Sequence, residues 1–286
     1  MKFWQVISMV DIHESVILAQ KAEELGFEGM SIGDHLVTFK SQYEHYDYSD
    51  DGAVLWTTET HWPDPWVQIG AISQVTKTLK FVPQIYVLPM RDPFNVAKAI
   101  STAANLTNNR IKLGVGVGWQ KSEFNILGQT FENRGKRTDE MLEVIELLMS
   151  GKIVEYHGQF YDFEPLQMSP GVSRRVSIYI GGYSAAAYKR AAHNDGWIGG
   201  QNTLEELASI IETLKIYRQA LGRGMDDFEI MAGIIKPDKD KFKRAEDLGV
   251  DTIFKNAWLT ERGRASEMSL EEKLIDMEIF ADKYDL

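Results

Sequence analysis

The 286-residue chain contains no cysteine. That absence removes disulfides, thiolate nucleophiles and cysteine-ligated metals, and it fits a reducing compartment. A basic cluster is also missing: 31 Lys and Arg against 42 Asp and Glu leave a net charge of −11. Nucleic-acid binding needs a basic face, so no nucleic-acid partner is expected. No apolar run approaches the length of a membrane span. The opening MKFWQVISMVDIHES carries a short apolar stretch that meets Asp11 and Glu14 too early for a secretory signal. A soluble, cytoplasmic protein with no membrane partner is therefore expected. The six histidines show neither an HExxH motif nor a paired-ligand spacing, so no catalytic metal is expected.

Present in abundance is alternation of strand and helix. Apolar residues make up 44% of the chain, enough for a sizeable core. A strand over Lys2–Ser8 leads to a helix opened by Asp11 with Glu14 three residues later, the spacing of a capping box. Further strands are predicted at Phe27–Gly33, Leu79–Tyr86, Arg110–Gly116, Val176–Ile180, Gly196–Ile198, Phe228–Gly233 and Val250–Phe254. Each is followed by a helical pattern. Met141, Val144, Ile145 and Leu148 form a core-facing stripe on the helix over about Arg134–Ser150. Thr203 with Glu206, and Ser269 with Glu272, mark two more capping boxes. Two excursions interrupt the alternation: Asp34–Pro63, and Lys152–Ser173 with a hairpin around Gly158. Eight strand–helix units in this length predict one α/β domain over residues 1–286, a (β/α)8 TIM barrel with insertions after strands 2 and 4. A doubly wound sheet is the competing architecture, but no linker splits the chain.

In such a barrel, chemistry belongs to the loops that follow the strands. His35, just past strand 2, has an imidazole suited to proton transfer near neutral pH, or it simply ends the strand. The glycines of Gly114-Val115-Gly116-Val117-Gly118-Trp119 recur every second residue. They clear one strand face for a flat ligand or for a close backbone approach. Trp119 stacks on a ring or plugs the barrel top. Ile180-Gly181-Gly182-Tyr183-Ser184 runs from strand to helix start, the geometry of a phosphate seat and equally of a tight turn. The aromatic-rich excursion, with Phe39, Tyr43, Tyr46, Tyr48, Trp56 and Trp62, reads as a lid or a subunit interface. Its acidic cluster Asp47–Asp51 reads as solvated. Arg134, Arg137, Asp139 and Glu140 read as a solvated or paired face.

The segments SIGDHL, VLPMRDPFNVAKA, NRIKLGVGVGWQKSEF, ENRGKRTDEMLEVIELL, GQFYDFEP and VSIYIGGYSAAAYKRAAHNDGW occur in this order over most of Phe27–Trp197. Together they resemble the luciferase-like monooxygenase superfamily, particularly its coenzyme F420-dependent oxidoreductases. The resemblance implies a barrel, often dimeric, that holds a flavin or deazaflavin at its C-terminal mouth. It gives His35 the place of a histidine that assists proton movement during hydride transfer, and sets Asp34 beside it among the cofactor-binding residues. It implies a non-proline cis peptide at Gln84–Ile85 under the cofactor ring, with Val117 and Gly118 bordering that ring. Gly181, Gly182, Tyr183 and Ser184 match the segment that receives the cofactor phosphate. One departure is plain. Sugar-phosphate dehydrogenases of the superfamily carry a glutamate where this chain has Trp119, which points to a more apolar substrate.

The implied activity is hydride transfer between a small organic substrate and coenzyme F420 in a homodimeric enzyme. The alternative is an FMN-dependent monooxygenase that uses O2 and is supplied with reduced flavin by a separate reductase. A flavin-binding protein without turnover is a third reading, which the presence of His35 opposes.

Overall fold

The computed structural model describes residues 1–46, 49, 51–255, 258 and 268–286. Asp47, Tyr48 and Asp50 of the first excursion lie outside the described residues.

The parallel strands are β1 (Lys2–Val6), β2 (Gly29–Ile32), β3 (Lys80–Pro83), β4 (Tyr86–Val87) and β5 (Leu113–Gly116) in the first half. An antiparallel hairpin, β6 (Ile153–His157) with β7 (Asp162–Gln167), stands apart from them. The second half adds β8 (Ile178–Gly181), β9 (Gly196–Asn202), β10 (Glu229–Ile234) and β11 (Thr252–Lys255). The sheet order is β3-β2-β1-β11-β10-β9-β8-β5-β4, parallel throughout. Its two ends belong to one stretch of chain, broken at Gln84–Ile85. Phe81 N–H donates to Arg110 O at 2.8 Å and Phe81 O accepts from Lys112 N at 2.8 Å, so β3 also meets the start of β5. Those bonds bring the sheet round into a nearly closed cylinder of eight strands, one of them interrupted, and among the described residues the two edges meet where a doubly wound sheet would leave them open.

The helices are α1 (Ser15–Glu24), α2 (Pro65–Ser73), α3 (Pro93–Leu106), α4 (Lys121–Ile126), α5 (Arg134–Met149), α6 (Ala185–His193), α7 (Leu204–Ala220), α8 (Lys239–Leu248) and α9 (Leu270–Tyr284). Their starts follow local chemistry. Asp64 and Asp92 each cap a helix that has proline as its first residue. The Thr203–Glu206 and Ser269–Glu272 capping boxes both form. The Asp11–Glu14 box does not. Asp11 accepts from His13 N at 2.9 Å and opens a single 3-10 turn, while Glu14 turns away to Lys273 at 2.6 Å. With Glu14 drawn to the last helix, α1 begins at Ser15.

Two layers of core result. Trp4, Val82, Tyr179, Ile198, Met231 and Phe254 fill the barrel interior. Between barrel and helices lie Leu18, Ile69, Ile100 and Leu214, together with the Met141, Val144, Ile145 and Leu148 stripe of α5, each fully buried. The second excursion, with its hairpin, follows α5 and not the strand directly; the segment that directly follows β5 is residues 117–133 with α4. Glu140 of α5 holds the hairpin turn, accepting from the backbone N–H groups of Gln159, Phe160 and Tyr161 at 2.7–3.1 Å.

Candidate active site

Because every barrel strand runs the same way, Gly33, Gly118 and Gly182, which follow β2, β5 and β8, stand at the same, C-terminal, end. Gly33 lacks a side chain where one would come within 2.5 Å of Trp62 Cζ3 and 2.8 Å of Ser8 Oγ. That lets the first excursion fold back over the strand end. Trp56 and Trp62 then pack on His35 with ring centroids 4.5 and 4.8 Å away, and Trp119 stands 6.2 Å off. Tyr46 joins them, 5.3 Å from Trp56 and 5.1 Å from Trp119. Glu44 pins the excursion to α4, accepting from Ser122 N at 2.7 Å and Ser122 Oγ at 3.0 Å. Glu44, Tyr46, Trp56 and Trp62 of the excursion thus lie over the mouth. Trp62 Nε1 is buried there with no hydrogen-bond acceptor.

His35 is half-buried, and its Nδ1 lies 3.3 Å from Glu123 Oε2. The other oxygen, Oε1, accepts from Leu36 N at 2.8 Å and Val37 N at 3.3 Å. Glu123 is 2% exposed. Sequence reasoning stopped at Trp119 and missed it, because 88 residues separate it from His35 and nothing local signals the pairing. Asp34 is buried, and both of its oxygens are taken. Arg91 Nη2 donates to Oδ1 at 2.7 Å and Nη1 to Oδ2 at 2.8 Å, while Val87 N donates to Oδ2 at 2.8 Å. Burial pushes the Asp34 carboxyl upward against the pull of Arg91. Burial works against the Arg91 charge too, but the Asp34 carboxylate overrides it and raises that group. This pair ties the end of β2 to β4, so Asp34 anchors the strand end from which His35 projects.

The Gln84–Ile85 peptide is cis. Gln84 bridges the top of the barrel, accepting from Ser31 Oγ at 2.9 Å and donating to Gly199 O at 2.9 Å. Ile85 beside it explains the alternating glycines. A Cβ on Gly114 would meet Pro83 O, one on Gly116 the Ile85 side chain, and one on Gly118 would lie 2.6 Å from Val87 Cγ1. The three glycines therefore admit residues 83, 85 and 87 of the neighbouring strand, which is the close-approach reading. Gly181 completes the seat, since a Cβ there would lie 2.7 Å from Ile85 Cγ2.

Gly182 has φ +111° and its carbonyl accepts from Trp197 Nε1 at 3.0 Å. Ser184 is the N-cap of α6 and not part of its first turn. Its Oγ accepts from Ala187 N at 3.2 Å, which leaves its own proton available to donate. Tyr183 OH accepts from Gly200 N at 2.8 Å and fastens this turn to β9. A phosphate fits here. The bare Gly182 Cα and the first-turn N–H groups ahead of Ala187, whose own N–H goes to Ser184 Oγ, form a cradle, and a Cβ on Gly182 would press to 3.1 Å from Ala187 Cβ.

The charges at the start of α5 form no solvated face. Arg134 Nε donates to Gly118 O at 3.0 Å, and Arg137, 7% exposed, donates to Pro89 O at 2.7 Å and Thr130 O at 2.9 Å. Asp139 pairs with Arg190, and Glu140 holds the hairpin. They are ties that hold the mouth loops.

The fold and its mouth define a parallel α/β barrel with a His35–Glu123 pair and an aromatic cluster at the strands' C-terminal ends. The sequence model of the luciferase-like monooxygenase family matches residues 52–236. The chain belongs to that family, and it is an enzyme of a group with oxidoreductase and monooxygenase members. It is 32% identical to an uncharacterized protein of Mycobacterium tuberculosis, over 99% of this chain and 98% of the relative. Among solved structures, an F420-dependent secondary alcohol dehydrogenase in complex with an F420-acetone adduct superposes with a TM-score of 0.77. The alignment covers 99% of this chain and 97% of that one at 14% identity. Monooxygenase RslO1 from Streptomyces bottropensis superposes with a TM-score of 0.73, covering 99% and 98% at 19% identity. Among the described residues, no helix is long and apolar enough to cross a membrane.

Proposed function

We propose that this protein moves a hydride between a carbon of a small, uncharged organic substrate and the deazaflavin ring of coenzyme F420, with His35 carrying the accompanying proton. The observation that supports this reading is the placement of His35: half-buried at the mouth, oriented by a buried carboxylate, and walled by Trp56, Trp62 and Trp119. Bound at the mouth, the deazaflavin would supply a ring carbon that gives or takes the hydride. Gly181, Gly182, Tyr183 and Ser184 would hold its phosphate, and Gln84, Ile85, Val117 and Gly118 would border its ring. Asp34 would contribute by anchoring the strand end, since its carboxylate is committed to Arg91 and Val87. Indole walls exclude water and favour an apolar substrate next to Trp119, so much of the rate enhancement would come from positioning.

The second reading, an FMN-dependent monooxygenase fed by a separate reductase, draws support from the cations around the mouth. Arg91 is paired with Asp34 and Arg190 with Asp139, and Arg134 is bound to backbone carbonyls. An acidic cofactor tail would find few partners among them. Absorbance and mass of the ligand that co-purifies from a host making both cofactors distinguish the two.

The reaction itself is tested by His35→Ala in single-turnover kinetics, with any alcohol or ketone the wild type converts. Cofactor reduction or reoxidation should slow by roughly 10²–10⁴ while cofactor affinity holds. A folded variant that reacts at the wild-type rate would remove His35 from the chemistry.

A further inference from the structure

We infer that Glu123 is a positioning residue that sets which ring nitrogen of His35 bears the proton. The inference rests on the proton-transfer role proposed for His35, and it comes from the division of labour between the two Glu123 oxygens. Oε1 is held by two backbone donors, Leu36 N and Val37 N, in the residues that follow His35. Those amides fix the carboxylate plane and leave Oε2 facing Nδ1 at 3.3 Å. A carboxylate only accepts hydrogen bonds, so the partner nitrogen must donate. Neutral His35 therefore carries its proton on Nδ1, and Nε2 keeps the lone pair that can take a proton from a substrate hydroxyl. One side chain thus holds the His35 loop and selects the tautomer.

The same geometry predicts what an amide does in that place. In Glu123→Gln the carbonyl oxygen has to stay on Leu36 N and Val37 N, because an NH2 group cannot accept from them. The NH2 then points at Nδ1, which must become the acceptor, and the imidazole proton moves to Nε2. The loop stays in place while the base is turned into a donor. Exchange of a carboxylate for an amide behind a catalytic histidine acts in this way in Ser-His-Asp triads and costs about 10⁴ in kcat there.

The test is NMR of the full-length protein labelled with 15N-histidine, at a pH about two units above the ordinary imidazole value of ~6.5. His35 is identified as the signal lost in His35→Ala. Wild-type protein should show the Nδ1–H tautomer and Glu123→Gln the Nε2–H tautomer. Glu123→Gln should also lose roughly 10²–10⁴ in kcat at unchanged cofactor affinity and thermal midpoint. Wild-type His35 in the Nε2–H form overturns the inference without any variant having to fold, and so does an unchanged tautomer in Glu123→Gln. Failure of the functional reading looks different. There, His35→Ala reacts at the wild-type rate whatever the tautomers show.

Discussion

Removing the Arg91 guanidinium is the sharpest test of how the mouth is held. In Arg91→Ala, Asp34 keeps only the Val87 N–H at 2.8 Å, in a site where its side chain is 2% exposed. Breaking a buried pair from one side costs about 3–5 kcal/mol, because the remaining charge has no solvent. Protonation sets a ceiling on that cost. Neutralising a carboxyl at pH 7 takes at most about 4 kcal/mol from an unfolded pKa of ~3.9, at ~1.4 kcal/mol per unit, and less here because burial already raises Asp34 in the intact pair. Loss of the Val87 O contact at 3.1 Å and of the Tyr86 ring 4.1 Å below the guanidinium adds about 1 kcal/mol. We therefore expect Arg91→Ala to lose about 4 kcal/mol at pH 7. The sign of the pH dependence follows. Burial already raises Asp34, and without Arg91 its folded-state pKa rises further, so the penalty grows as pH rises through the acid range and shrinks by up to roughly 1.4 kcal/mol per unit on acidification. Urea unfolding at pH 7 and pH 5 measures both, and a cycle with Asp34→Asn should give a coupling of at least about 2 kcal/mol. A loss below about 1 kcal/mol at pH 7, or one that does not change with pH, would refute the argument that this pair anchors the strand end.

Two further outcomes are expected. The Glu23 carboxylate is drawn down to about 2, against the opposing effect of burial, by hydrogen bonds from the Thr78, Leu79 and Lys77 amides that lead into β3. Because that folded-state pKa is depressed, its stabilisation is complete above the ordinary 4.5 and disappears as pH falls towards 2. Glu23→Gln should cost about 1–2 kcal/mol at pH 7 after allowance for solvent screening, with the two stability curves drawing together below the ordinary 4.5 and meeting only as pH reaches about 2. Curves that stay parallel would show that the charge contributes nothing. At the turn proposed to seat the phosphate, Gly182→Val places a branched side chain at φ +111° and 3.1 Å from Ala187 Cβ, so cofactor affinity should fall at least about tenfold in a titration of the folded variant. Unchanged affinity would remove this turn from the site.

The sequence by itself determined the barrel. Strand–helix alternation, the α5 stripe and the Thr203 and Ser269 capping boxes are local patterns, and period and capping chemistry are written within a few neighbouring residues. Asp11–Glu14 shows the limit of that reasoning. The capping spacing is present, but Lys273, 259 residues away, takes the glutamate, and no local rule registers that competition. The candidate site divides in the same way. His35, Trp119 and the Gly181–Ser184 turn lie next to strand ends and were legible as such. The glycines of β5 were legible as a vacated face, yet only the folded barrel shows that Pro83, Ile85 and Val87 occupy it. Glu123 against His35 and Arg91 against Asp34 join residues 88 and 57 positions apart. Which carboxylate meets which imidazole or guanidinium depends on barrel closure bringing β2, β4 and the loop after β5 to one rim. That closure is a tertiary event, and it decided which side chains face His35 and Asp34.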